Sequence, residues 1–169
     1  EIASEDLLPA RQSYEARRKK LRGDAEDELE LAQWCLNHTM LEEALLHATR
    51  AAAALPEIAV QARRIASAAE GRLVAAAAKD FVKAFALVRS LELAAGAEAL
   101  EAALETHARN PLLSTPERER TFLAENAADL LKMYGTTLTQ IAGAVARKAR
   151  TACPVCHGVG STVCQICKG

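Results

Sequence analysis

Two pairs of cysteines near the end of the chain carry its most specific chemistry: Cys153-Pro-Val-Cys156 and Cys164-Gln-Ile-Cys167, with seven residues between the pairs. In each pair the intervening dipeptide makes a turn short enough for both sulfurs to face one ion. Two such pairs complete the tetrahedral thiolate set that Zn²⁺ prefers. Gly158, Gly160 and Gly169 follow the second cysteine of each pair, where a chain folding back over its own sulfurs needs a backbone without Cβ. The spacing therefore predicts one structural zinc held by Cys153, Cys156, Cys164 and Cys167. A segment with so few large apolar side chains would draw most of its folding free energy from the metal, about 10–16 kcal/mol for structural zinc in small peptides. Two other chemistries share the spacing: a pair of disulfides, and a redox-active Cys-x-x-Cys. The redox motif opens a helix after a strand, and no βαβ pattern is visible. His157 reads as a neighbour of the metal rather than a ligand, because four sulfurs already fill the site.

Cys-x-x-Cys-x-Gly-x-Gly followed by Cys-x-x-Cys-x-Gly resembles the cysteine-rich zinc-finger region of DnaJ/Hsp40 chaperones and of small DnaJ-type zinc-finger proteins. In that family four such repeats make two zinc sites and contribute to client binding. Two repeats occur here, which the resemblance translates into one site. No His-Pro-Asp tripeptide occurs, so the J-domain feature that engages Hsp70 is absent. The second repeat stops at Gly169, one x-Gly short of the pattern, which predicts that the chain is a piece of a longer one or that a tail follows. The resemblance covers about a tenth of the chain and implies a zinc-binding, chaperone-like role.

Elsewhere the residue types do not assemble a reaction centre. His38, His47 and His107 stand singly on helical stretches, with no nucleophile pattern, no His-Glu-x-x-His and no glycine-rich phosphate loop beside them. A zinc closed by four cysteines leaves no open position for activating water. His47 reads as a surface or satisfied core histidine, and His107 as a partner of its helix dipole. The fifth cysteine, Cys35, lies in an apolar helical stretch and reads as buried and inert. A non-enzyme is therefore expected.

The elements that would carry this tail are helical. Of 169 residues 37 are alanine, aromatics make up 4%, and glycine and proline are sparse. Such a composition points to an all-α chain with close helix contacts. Net charge is −1, so no dedicated nucleic-acid surface is indicated. No apolar run approaches the ~18 residues of a membrane span. Compartment is not legible. Reduced, zinc-type cysteines favour the cytoplasm, and secretion after removal of a signal peptide stays open.

Residues 5–22 read as a first helix, with Pro9 near its start and a basic end at Arg17, Arg18, Lys19, Lys20 and Arg22 before Gly23, cations that suit the helix dipole or, as the alternative, form a patch for phosphate or an acidic partner. Asp24 caps a second helix with Glu26, Asp27, Glu28 and Glu30 in its first turns, so opposite charge blocks face each other across one tight connection. From Glu28 to Pro56 two helices are separated at Asn37-His38-Thr39, with Thr39 and Glu42 placed as a capping box. Leu31, Ala32, Ala44 and Pro56 fall at the register of a tetratricopeptide repeat, which this hairpin resembles, although Glu28 and Ala48 stand where that repeat uses large side chains. Further helices are expected over 57–70, 73–95 and 97–109. The stripe of Phe81, Phe85, Val88 and Glu92 marks the second of these, and Gly96 is read as its stop. Whether Gly71 separates the first two is undecided. Ser114-Thr115-Pro116-Glu117, with Ser114 as the cap, proline in the first turn and glutamate third, opens a helix that runs to Tyr134 and is closed by Gly135. A last helix, about 137–150, sets Leu138, Ile141, Ala142 and Val145 inward and brings Arg147, Lys148 and Arg150 to the edge of the thiolate site.

The expected organisation is an N-terminal helix (1–24), tetratricopeptide-like antiparallel hairpins in an array or bundle (25–113), a C-terminal helical pair (114–151) and a small zinc knuckle (152–169). The function this implies is partner binding: a protein-interaction, assembly or chaperone-like scaffold with a structural zinc module. A thiol–disulfide oxidoreductase using the Cys-x-x-Cys pairs and a zinc-dependent nucleic-acid-binding module are the alternatives.

Overall fold

A computed structural model describes residues 9–151. Among them are eight α-helices and no strand: α1 (Ala10–Lys20), α2 (Ala25–Asn37), α3 (Leu41–Ala54), α4 (Ala59–Arg89), α5 (Leu93–Thr106), α6 (Pro116–Asn126), α7 (Ala128–Tyr134) and α8 (Leu138–Thr151), with a 3₁₀ turn at Pro111–Leu113. The all-α class read from composition is thus the class observed. The chain divides into two compact units between Leu73 and Val74, and α4 contributes residues to both. None of the described helices is long and apolar enough to cross a membrane.

In the first unit, Asp24 caps α2 by accepting from Asp27 N–H at 2.8 Å, and the three acids of that first turn, Glu26, Asp27 and Glu28, suit the helix dipole. α2 ends in a Schellman turn. Met40 N–H donates to the Cys35 carbonyl at 2.9 Å and Thr39 N–H to the Leu36 carbonyl at 3.4 Å, with Thr39 left-handed at φ +60. This overturns the expected Thr39–Glu42 capping box. A threonine used as the left-handed residue that closes one helix cannot also cap the next, and its hydroxyl donates instead to the His38 carbonyl at 2.7 Å. Ala32, Ala44 and Ala48 are fully buried, so the α2–α3 crossing is made by methyl groups, which lets the helix axes approach closely. Leu31, Cys35, Leu36, Ile65 and Ala69 complete this core, and its aromatic is Tyr14 from α1.

Gly71 does not interrupt α4, which runs unbroken for 31 residues. α4 ends as α2 does. Glu92 N–H donates to the Leu87 carbonyl at 3.0 Å and Leu91 N–H to the Val88 carbonyl at 3.2 Å, with Leu91 at φ +66. The helix expected over 73–95 therefore stops at Arg89, and Gly96, expected to stop it, lies inside α5. Its role is spatial: a Cβ at Gly96 would come within 2.7 Å of Val88 Cγ2.

The second unit is built around Phe81, Phe85 and Phe122, whose rings lie 6.1–6.4 Å apart between centroids. Leu100, Leu123, Leu130, Leu138, Ile141 and Val145 pack with them. Glu92, placed on the same stripe by periodicity, is exposed at the start of α5. The helix expected from 114 to 134 is two, because the backbone turns out of the helix at Ala127 (φ −152, ψ 45). Arg89 holds that break by donating to the Asn126 carbonyl at 3.0 Å and to both Asp129 carboxylate oxygens at 2.6 and 3.0 Å. Thr115, not Ser114, caps α6, accepting from Arg118 N–H, while the Ser114 hydroxyl donates to Pro111.

Candidate functional site

Cys153, Cys156, Cys164 and Cys167, the residues expected to hold zinc, lie outside the described residues. Within residues 9–151 no group of three or more His, Cys, Asp or Glu side chains is disposed to hold a metal. Cys35 is fully buried. Burial first, and the carboxylate of Glu43 second, push its thiol up to about 12, which keeps it protonated at neutral pH.

The first unit joins polar groups that stand far apart in sequence. The Tyr14 hydroxyl from α1 lies 3.0 Å from Nε2 of His47 on α3, and Nδ1 of the same ring lies 2.5 Å from Oε2 of Glu28 on α2. A carboxylate only accepts, so Nδ1 carries a hydrogen toward Glu28. In the neutral ring Nε2 then accepts from the tyrosine O–H. Tyr14 is 3% exposed and His47 1%, so the network joins three helices to one another and offers no hydroxyl to solvent. Burial raises the Tyr14 phenol above its ordinary value. Each such hydrogen bond contributes about 1 kcal/mol net, and a buried partner left unsatisfied costs about 1–3 kcal/mol.

His47 is thus a satisfied core histidine. Glu28, the departure from the tetratricopeptide pattern, is its partner. The two residues are 19 positions apart and Tyr14 is 33 from His47, beyond any local spacing rule. The available signal was the pair of polar residues at inward positions of adjacent alanine-rich helices.

Anchoring Tyr14 fixes how α1 lies on the hairpin, and one turn further on Arg17 places its guanidinium 4.9 Å from the centroid of the Trp34 ring. His38 stacks on the same indole at 4.0 Å and 20°, and its Nδ1–H is held by the Trp34 carbonyl at 2.8 Å. Beyond α1 the chain folds back through Arg22, whose backbone N–H donates to Asp27 at 2.9 Å and whose guanidinium reaches the same carboxylate at 3.4 Å. Those hydrogen bonds lower the Asp27 carboxyl below its ordinary range. The facing charge blocks of the two helices are therefore joined at this pair.

Between the end of α1 and the exposed side of α2 lies an open recess of about 300 Å³, lined by Arg17, Lys20, Arg22, Asp27, Glu30 and Trp34. Leu21 and Leu31 add apolar carbon to its wall. In the sequence these cations read as partners of the helix dipole or as a patch for phosphate or an acidic partner, and nothing in the spacing of α1 alone indicates that Trp34, on another helix, meets them.

The remaining histidine, His107, sits just past the end of α5 and pairs through Nε2 with Asp80 at 2.9 Å, beside the ring of Phe81. The hydrogen bond from His107 lowers the Asp80 carboxyl. Comparison with protein-family models, with curated proteins and with solved structures finds no match to this chain.

Proposed function

We propose that this chain is a non-catalytic protein-interaction or assembly factor of chaperone-like type, in which the helical scaffold holds a protein partner and Cys153, Cys156, Cys164 and Cys167 close around one structural Zn²⁺. The observation that carries the binding role is the open recess walled by Trp34, the chain's single tryptophan, with charges of both signs around it. Aromatic and arginine side chains presented together at a concavity are the groups that dominate protein–protein recognition. For the metal, the donor set fits: four thiolates at two-residue separations suit a tetrahedral ion, and no other ligand is needed. The tetratricopeptide likeness is supported by the α2–α3 hairpin, where Ala32 and Ala44 make the crossing and Pro56 follows α3. α4, at 31 residues, is too long for one helix of a two-helix, 34-residue repeat, so the likeness rests on that hairpin.

Metal content and capture test the reading together. The purified chain should hold one zinc, its four-Cys→Ser variant none, and the intact chain should retain a protein partner from cell extract. Metal-free protein that reduces insulin disulfides would instead identify a thiol–disulfide oxidoreductase. Retention of nucleic acid with a steep salt dependence would identify a nucleic-acid module.

A further inference from the structure

α1 is seated by very little of its own surface. Tyr14 is its one apolar side chain larger than alanine, and only Ser13 and Tyr14 among its 11 residues are buried. Pro9 offers no side-chain cap at its start, and so short a helix falls below the ~12–15 residues that an isolated one needs. What holds it is a row of three contacts. Arg11, Tyr14 and Arg17, at intervals of three and therefore on one side of the helix, meet Glu43, His47 and Trp34 in turn. The link to α2 is the stretch Leu21–Asp24, which belongs to neither helix and turns at Gly23 with φ +86.

The seat, in contrast, is built without α1. α2 and α3 cross through the buried methyl groups of Ala32, Ala44 and Ala48, and Glu28 of α2 holds Nδ1 of His47 on α3. With Nδ1 fixed, Nε2 presents a single acceptor in a set direction. Apolar side chains would fill the same space without desolvating a polar pair, so packing alone does not call for this arrangement. Reading a hydroxyl does, because a site built to bond an O–H discriminates against the ligand that lacks it.

We infer that the α2–α3 face beneath α1 is the surface that binds the protein partner, and that α1 occupies it in cis as a displaceable strap. The occupant it fits is a partner helix carrying a tyrosine with an arginine three residues before it and another three after, the chemistry that α1 itself displays there. The inference rests on the protein-binding role stated above and names the segment that is bound. Helix-in-groove recognition uses anchors at such spacings. Tethered by a short link, α1 competes at an effective concentration on the order of millimolar, so the partner helix binds weakly until the strap is opened.

The probe is a fluorescein-labelled peptide of residues 9–22, added to the full-length chain and followed by anisotropy. Tyr14→Ala in the chain opens the strap by removing its anchor, and Arg11→Glu opens it from the surface by setting like charges against each other at Glu43. Both variants should bind the peptide at least about tenfold more tightly than the parent does. Trp34, the only tryptophan, should change its emission as the peptide's Arg17 arrives. A peptide with Tyr14→Phe should bind about tenfold more weakly. Glu43→Arg added to the Tyr14→Ala chain should lose the parent peptide and regain binding of a peptide with Arg11→Glu, an exchange that a change in folding alone does not produce. Peptide binding no tighter to the opened chains than to the parent overturns the proposal. So does equal binding of the Tyr14→Phe peptide, or failure of the exchanged charge pair. Dimers of the parent that come apart in Tyr14→Ala would assign the face to α1 of a second copy and overturn the partner assignment. If the peptide fails yet the intact chain still captures a protein, only this face is wrong. If it captures none, the binding role fails with it.

Discussion

Tyr14 and His47, 33 residues apart, meet hydroxyl to ring nitrogen at 3.0 Å inside the first unit, and that contact sets where α1 lies. Because Glu28 holds the other side of the ring, His47 cannot turn away without abandoning a second partner.

Removing either end of this chain of hydrogen bonds should loosen α1 before it unfolds the hairpin. Tyr14→Phe keeps the ring and deletes one buried hydrogen bond, an expected loss of about 1–2 kcal/mol. His47→Leu strands both the Tyr14 hydroxyl and the Glu28 carboxylate and should cost about 2–4 kcal/mol. Urea unfolding followed by far-UV circular dichroism measures both losses. Trp34 emission should change in Tyr14→Phe at urea concentrations where helicity is still full, since Arg17 is delivered to the indole by the same helix.

Two glycines should respond to alanine with opposite signs. At Gly71, in mid-helix, an added Cβ meets nothing within 4 Å, so Gly71→Ala should gain the helix-propensity difference, about 0.5–1 kcal/mol. At Gly96 the same methyl comes within 2.7 Å of Val88 Cγ2 and 3.2 Å of the Val88 backbone nitrogen. Gly96→Ala should lose about 1–3 kcal/mol through overpacking. Adding Val88→Ala should recover only part of that loss, because the backbone contact remains. Thermal melts of the three variants against the parent decide the matter.

This glycine pair also marks the limit of what the sequence disclosed. Helical class, the inward faces of α2, α3 and α8, and the Phe81–Phe85 stripe follow from alanine content and 3.6-residue periodicity, and the structure buries those residues. Helix ends were less legible. Both hairpin turns place a non-glycine residue, Thr39 or Leu91, in the left-handed position that glycine normally signals, so in the sequence Gly96 reads as a stop and Thr39 as a start. The Ala127 break carries no proline or glycine, being held by Arg89, which bonds the Asn126 carbonyl from 37 residues away. Of the candidate site, the charge blocks were visible. The meeting of Arg17 with Trp34 was not, because it depends on the Tyr14–His47 contact between elements.

Arg89 and Asp129 give the second unit a pH dependence of known sign. Hydrogen bonding to Arg89 lowers the Asp129 carboxyl from the ordinary 3.8 to about 2. A depressed folded-state pKa means that the pair's contribution is complete above about pH 4 and is lost as pH falls toward 2. Both side chains are more than 40% exposed, so solvent screening should hold the contribution under about 1 kcal/mol. NMR titration of the Asp129 carboxyl should show the low midpoint in the parent and a near-ordinary one in Arg89→Ala. The stability difference between the two proteins should narrow below about pH 3.

The five thiols should be distinguishable by reactivity. Cys35 is fully buried with its pKa pushed up to about 12, so at about pH 8 only about one molecule in ten thousand carries its thiolate, and access is denied even to that fraction. If the other four cysteines hold zinc as proposed, native protein should react slowly with a thiol-disulfide reagent such as DTNB. A chelator should then release four thiols rapidly, and denaturant the fifth. Far-UV circular dichroism should change little between the first two states, because no residue of either described core is a tail cysteine. Disulfides in the tail would give another order: no thiol released by the chelator, and four only after a reductant. An immediate reaction of Cys35 in the native protein would contradict its burial in the α2–α3 core.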